Sequence, residues 1–403
     1  MTPKDIQKIV EQIGTPVYVY EQKALEANIG RIQNSLEKYG LKERIRPYVA
    51  YFANSNPHLF KIVVAKGFGI VMQTQEEFAQ LKGNGLSDDV ILSPSFLSDA
   101  EIDYWQKQKV KVNLASLEEV KYFVSKYNAS PCFRVDLTSD ASQRTAIKSY
   151  QLLELKAFLT SKKIVPESFH VYIGTGSSLK KAKNNFRKVL GLHKKFFPET
   201  KNINLGGGFG YSYDETDEKK KHFDWDSYFH FVADMVKKYK LPDDVQFIIE
   251  PGRDIFVDAG TLLIRINRIV KLRGRINLGT DGSYVYLPSA TTRVRKHKTL
   301  FYDKSCVLRT DRSAYGSLSG ATTLSSDYVY PGNIKIPENI QNGDILEIKD
   351  VGAYGATQHM EFLNKRPCPE VLIDSDDQIS LITKRGPDDD KIRHLLNRPE
   401  ALC

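Results

Sequence analysis

Cysteine is scarce in this chain. Four residues, Cys132, Cys306, Cys368 and Cys403, are spread over 403 positions, too few and too scattered for a disulfide framework or a zinc site. They are expected to be free thiols in a reducing compartment. Long apolar runs are missing too, and no segment approaches the roughly 20 apolar residues that a membrane span requires. The first thirteen residues interleave Lys4, Asp5, Lys8 and Glu11 with isolated apolar positions, which is not the pattern of a signal peptide. A cytosolic setting is the expectation, with no membrane partner. Internal repeats, low-complexity stretches and nucleic-acid motifs are absent as well, so no nucleic acid is expected as a partner.

What is present is enough for a large fold. A hydrophobic content of 41% over 403 residues can bury one large core or two, and a barrel with a smaller domain is a natural division. The net charge of +9 makes the surface mildly basic. Local runs such as Arg293–Lys298 and Lys219–His222 read first as solvated faces, and second as a surface for an acidic partner or a phosphate-bearing ligand.

Between Arg44 and Glu250, short apolar runs alternate with longer amphipathic stretches, the rhythm of a parallel sheet with crossover helices. Eight strands are predicted: Ile45–Phe52, Gly69–Met72, Val90–Leu92, Val110–Asn113, Cys132–Val135, Phe169–Ile173, Ile203–Leu205 and Phe247–Ile249. Each of the first seven is followed by a helical pattern, as in Leu59–Ala65 and Phe231–Lys237. The count suggests a (β/α)8 barrel in an α/β chain. After Asp258 the rhythm changes to strands such as Thr261–Val270, Asp344–Ile348 and Glu370–Asp374, separated by Gly-, Asp- and Asn-rich turns, which reads as an all-β domain. Pro16–Tyr20 is an early strand that can join it, and Asp388–Lys391 reads as a solvated turn.

Barrels place chemistry at the carboxyl ends of their strands. After the seventh strand comes Gly206-Gly-Gly-Phe-Gly210, where missing Cβ atoms let backbone N–H groups approach an anion; a tight turn explains the glycines equally well. After the eighth comes Glu250-Pro-Gly-Arg253, a carboxylate and a guanidinium suited to opposite ends of a ligand with a basic nitrogen and a phosphate, or to a surface ion pair. Around the end of the sixth, His170, Tyr172 and Gly174 alternate onto one face; a lone His there is more often a satisfied core residue.

Taken in order, these elements resemble the fold type III pyridoxal-phosphate (PLP) decarboxylases that act on ornithine, arginine and diaminopimelate. The resemblance runs from Thr15-Pro-Val-Tyr-Val-Tyr20 through Ala53-Asn-Ser-Asn-Pro57, Gly206–Gly210 and Glu250–Arg253 to Gly352-Ala-Tyr-Gly355. It implies a barrel over residues 22–265, a β domain from 1–21 and 266–403, and sites at a dimer interface. By the same resemblance Glu250 holds the pyridine nitrogen, while Gly207, Gly208, Gly252, Arg253 and Tyr354 bind the phosphate. Tyr172 stands where the family has a ring-stacking His, and an aromatic face still stacks. His170-Val-Tyr-Ile-Gly-Thr175 and Leu381–Gly386 look most like the branch that decarboxylates an aminoacyl group on a carrier protein, as in butirosin biosynthesis, which makes an acidic carrier protein a candidate partner.

The pattern breaks on the reacting side. Phe52 occupies the position of the family lysine that forms an imine with PLP, and Val71 that of an acidic residue on the second strand. In Gly320-Ala-Thr-Thr-Leu-Ser-Ser-Asp327, Thr323 replaces the proton-donating cysteine and Leu324 the acid that reads a distal amine. Leu287-Pro288 occupies the place of the Arg-Pro that meets a substrate carboxylate. The expectation is a degenerate or reprogrammed member that holds PLP or a similar phosphorylated ligand non-covalently, as a homodimer or paired with an active paralogue. The alternative is a working lyase on an amino acid or a carrier-bound aminoacyl group.

Overall fold

The structure is a computed structural model that describes residues 1–138, 145–213, 218–273, 275–292 and 295–386. The Asp388–Lys391 turn, Cys403, and Arg293 and Val294 of one basic run lie outside these residues. Two compact units emerge, one spanning Glu26–Ile255 and the other combining Met1–Leu25 with the chain from Phe256 onward.

In the first unit eight parallel strands close a barrel, with the two-residue strand Ile147–Lys148 added beside the fifth. The strands are Ile45–Ala50, Gly69–Met72, Val90–Leu92, Lys111–Leu114, Cys132–Asp136, Ser168–Val171, Asn202–Asn204 and Gln246–Ile249. Closure runs through the eighth strand, where Phe247 pairs with Ile45 of the first and Ile203 of the seventh. Turn chemistry starts the helices between them. Thr74, Ser98 and Ser116 each cap a helix by accepting from the N–H of Glu77, Glu101 and Glu119, and such caps are worth about 1 kcal/mol each. No helix among the described residues is long and apolar enough to cross a membrane.

Strand alternation decides what fills the barrel. Phe133, Phe169 and Phe247 are fully buried and face the helices: Phe133 packs its ring 5.3 Å from Phe197, and Phe247 lies 5.3 Å from Phe186. With a period of two, the neighbouring residues turn inward. Arg134, His170 and Asn204 are therefore directed into the barrel, and they stand in direct register across the fifth, sixth and seventh strands.

The second unit is built on a mixed sheet. Val17–Glu21 lies between Gly260–Leu272, antiparallel, and Glu370–Ile373, parallel, so both ends of the chain meet in one sheet as expected for Pro16–Tyr20. Because Gly260–Leu272 is one continuous strand of this sheet, the expected boundary at 265 falls inside an element, and the barrel unit ends at Ile255. The unit is not wholly β: the helix Pro3–Gln12 packs Ile6 and Ile9 against Val17, Val19 and Leu263. Tyr328–Ile336 carries Pro331 and Gly332 and pairs on one side only, with Ala314–Ser319, as a proline-bearing strand must.

Candidate functional site

At the barrel's carboxyl end, Glu250 is 8% exposed and Asn204 is 1% exposed. Asn204 is bonded at both ends of its amide: Nδ2 donates to Glu250 Oε1 at 2.7 Å, and Oδ1 accepts from the Gly206 N–H at 2.9 Å. His170 Nε2 lies 3.4 Å from Glu250 Oε2, longer than a good hydrogen bond but close enough to act on its charge. Burial pushes the Glu250 carboxyl upward, and His170, Asn204 and Arg134 together outweigh it, so the group sits below the usual glutamate range and is ionised at neutral pH. A buried carboxylate of this kind can accept from a protonated ring nitrogen. Glu250 does not pair with Arg253, which removes the plain ion-pair reading of that motif.

The glycine loop is held by backbone contacts. A Cβ on Gly207 would meet the Glu250 carbonyl oxygen at 2.3 Å, and one on Gly208 would meet the Gly174 oxygen at 2.2 Å. Gly208 also has a φ of +101°, so both conformation and space demand glycine. Ser177 clamps the loop, its N–H donating to the Gly208 oxygen at 2.8 Å and its hydroxyl to the Gly174 oxygen at 2.7 Å. The N–H groups of Gly207 and Gly208 have no acceptor among the described residues, although Gly207 is buried. Buried backbone donors are nearly always paired, so two unpaired neighbours fit an oxyanion such as a phosphate.

Arg253, 8% exposed, donates to the Tyr213 hydroxyl at 2.7 Å. The next residue, Asp254, is fully buried and accepts from the Phe223 N–H, Trp225 Nε1 and Arg31 Nη2 at 3.1, 2.7 and 3.1 Å, with His222 Nδ1 at 2.9 Å. The Lys219–His222 run is consequently no solvated face throughout, since Lys221 is 4% exposed and His222 is bonded inward. Gly252 is buried in the same turn. Tyr172 is half-buried, bonds Thr175 Oγ1 through its hydroxyl at 2.7 Å, and has the Arg134 guanidinium 5.3 Å from its ring centroid.

The other side of the barrel mouth is apolar. Phe52 sits in the short turn Tyr51–Ala53 that ends the first strand, and it packs against Tyr48, Val71 and Ile91. Phe52 and Val71 thus meet in one hydrophobic cluster. Lys66, at the end of the helix that follows, pairs with Glu26 at 3.2 Å.

Tyr354, Thr323 and Leu324 belong to the second unit. Tyr354 lies in a loop with φ +59°. In the Gly320–Asp327 segment, Asp327 is 3% exposed and accepts from the Tyr284 and Thr322 N–H groups at 2.8 Å each. Its frame is pinned while Thr323 and Leu324 are exposed at the tip.

Against known proteins, the model for the pyridoxal-dependent decarboxylase pyridoxal binding domain matches residues 23–257. The chain belongs to this family. It is 25% identical to the diaminopimelate decarboxylase of Archaeoglobus fulgidus, over 92% of this chain and 90% of that one. It is 22% identical to the L-glutamyl-[BtrI acyl-carrier protein] decarboxylase of Niallia circulans, over 99% and 95%. Among solved structures, a diaminopimelate decarboxylase superposes with a TM-score of 0.85 at 19% identity, covering 98% of this chain and 97% of that one. The lysine/ornithine decarboxylase of Vibrio vulnificus, complexed with cadaverine, gives 0.78 at 17%, covering 92% and 97%. Both share the closed barrel and the mixed-sheet domain.

Arg134 and Asn204 were not singled out by the sequence. A charged residue in the buried run Cys132-Phe-Arg-Val-Asp136 is the signal that marks Arg134. Asn204 has none beyond its place one residue before the glycine loop.

Proposed function

We propose that this family member binds PLP without covalent attachment at the first strand and has left the family's standard chemistry. The observation that carries this is the contrast at the barrel mouth: Glu250 is kept ionised beside two unpaired N–H groups, whereas Phe52 and Val71 form an apolar wall. Glu250 would hold the ring nitrogen and Tyr172 a ring face, with Gly207, Gly208, Gly252 and Arg253 taking the phosphate. When bound, PLP supplies an electron sink for a leaving carboxylate. This chain's residues bind and orient it, and the Glu250 carboxylate keeps a proton on the ring nitrogen. Phe52 offers no amine, and the Thr323 hydroxyl, whose pKa is far above a thiol's, is a poor proton donor at neutral pH.

Val71, fully buried where the resemblance has an acid, argues against a substrate with a second ammonium group, because burying an unpaired cation is costly. Diaminopimelate, ornithine and lysine are therefore poor substrates in this reading. A second reading, decarboxylation of an aminoacyl group on an acidic carrier protein, is supported by similarity to the Niallia circulans enzyme over 99% of the chain. Assembly as a homodimer, or with an active paralogue, belongs to both. Titrating the protein with PLP, followed by borohydride and intact mass, tests the first reading. It predicts saturable binding with no covalent adduct; a trapped lysine adduct, or turnover of any of the three diamino acids, overturns it.

A further inference from the structure

A cavity of about 340 Å³ opens beside Tyr172 in the barrel unit, within the roughly 300–1,000 Å³ of small-molecule sites. Its wall on one side is Tyr172, and on the other the first half of the helix Leu179–Phe196, which contributes Lys180, Lys181, Asn184, Asn185 and Lys188. Lys181, Asn184, Asn185 and Lys188 follow one another at helical spacing and so share a face. Among the described residues, no carboxylate pairs with any of the three lysines and no acid lines the cavity.

This helix departs from its neighbours in the barrel. Helices after Thr74, Ser98 and Ser116 carry glutamate at the third position, where it reaches back to the chain. After Ser178 that position is Lys181, preceded by Lys180, with no acid in the first turn. Two cations thus stand at the positive end of a helix dipole, with a third, Lys188, further along the face of Lys181. The arrangement is unfavourable for an empty surface and favourable around a multiply charged oxyanion. The cavity also adjoins the glycine cradle: the Lys181 ammonium would lie 3.0 Å from a Cβ on Gly174, whose carbonyl oxygen touches Gly208.

We propose that this cavity is a second anion subsite, which takes a phosphate group carried on the non-reacting part of the substrate. Lysines act there as point charges on the phosphate oxygens, and the two asparagine amides add neutral donors. The inference rests on the PLP reading only in assigning the cradle at Gly207 and Gly208 to the cofactor. It narrows the substrate class to phosphorylated molecules, free or attached to a larger carrier.

Calorimetric titration with inorganic pyrophosphate, in the presence and absence of saturating PLP, tests it. The expected result is one pyrophosphate per chain that persists at saturating PLP, with at most one more, at the empty cradle, when PLP is left out. The triple variant Lys180→Ala, Lys181→Ala, Lys188→Ala should bind it at least tenfold more weakly while binding PLP as the wild type does. Succinate, which carries charge without phosphate oxygens, should bind at least tenfold more weakly than pyrophosphate. Pyrophosphate wholly displaced by PLP, unaffected by the triple variant at saturating PLP, not bound at all, or matched by succinate would each overturn the assignment. Failure of PLP itself to bind, with pyrophosphate binding intact, would instead count against the cofactor reading.

Discussion

Along strands five to eight, the barrel turns Arg134, His170 and Asn204 toward Glu250; along strands one to three, it presents Tyr48, Val71 and Ile91, with Phe52 packed on them. The polar side is a network in which Asn204 fixes both the carboxylate and the glycine loop, so each member is set by another. The apolar side is a packed cluster whose members contribute largely by area and shape. A network of the first kind resists piecemeal change, since losing one partner strands the next in a low-dielectric interior. A cluster of the second kind accepts substitution wherever volume is kept. The two halves of one ligand site can therefore diverge at different rates, and the proposed function rests cofactor binding on the networked half and the loss of covalent attachment on the apolar one.

The comparison can be broken most sharply at Glu250. Glu250→Gln removes the buried anion that faces His170, Asn204 and the half-buried Arg134 and should cost about 2 kcal/mol of stability, together with most of the PLP affinity; chemical denaturation and calorimetry measure the two. The pH dependence has a defined sign. Because the folded-state pKa of Glu250 is depressed, its contribution is complete above the unfolded value, near 4.3, and is lost as pH falls through the folded value. The stability gap between wild type and Glu250→Gln should thus be flat at neutral pH and shrink in acid. A gap that widened in acid would contradict the assignment.

Asn204→Ala comes next, with about 2 kcal/mol lost, as two hydrogen bonds go and the Gly206 N–H and Glu250 Oε1 are left without them. On the apolar side Phe52→Ala should cost about 1.5 kcal/mol, less than a fully buried ring because Phe52 is only partly covered. It should leave PLP affinity within about threefold, an allowance of under 1 kcal/mol. A larger loss of affinity from Phe52→Ala than from Asn204→Ala would reverse the comparison. The smallest effect is expected at the exposed tip, where Thr323→Ala should shift stability by less than about 0.5 kcal/mol while Asp327→Ala, which unpins the loop, shifts it more.

Much of this was legible before the fold was known, and the reasons are local. Gly69–Met72 and Val90–Leu92 are short apolar runs bounded by breakers, and their limits coincide with the observed strands. Other strands shift by one or two residues, and Ile45–Phe52 stops at Ala50 because the chain turns into a 3-10 turn at Tyr51. Glu250 and the glycines stood out through their motifs. Asn204 did not, because its role depends on cross-strand register, and an asparagine at a strand end looks like any turn former. Nor could the sequence show that Lys221 is buried within a basic run, since that follows from the inward pull of Asp254 on its neighbour His222. The boundary at 265 came with the family resemblance, whereas the change of rhythm after Asp258 already set Thr261–Val270 among the β strands, and the compact unit ends at Ile255.

Under the proposed function Phe52 alone separates this barrel mouth from one able to attach its cofactor covalently, and the variant Phe52→Lys measures it directly. Incubated with PLP and then borohydride, and examined by intact mass and peptide mapping, Phe52→Lys should gain one reduced cofactor adduct on the new side chain, with an absorbance band near the visible edge before reduction. The wild type should gain none under the same conditions. A Phe52→Lys protein that stays colourless and unmodified at saturating PLP, or a wild type that already carries an adduct on another lysine, would contradict the account.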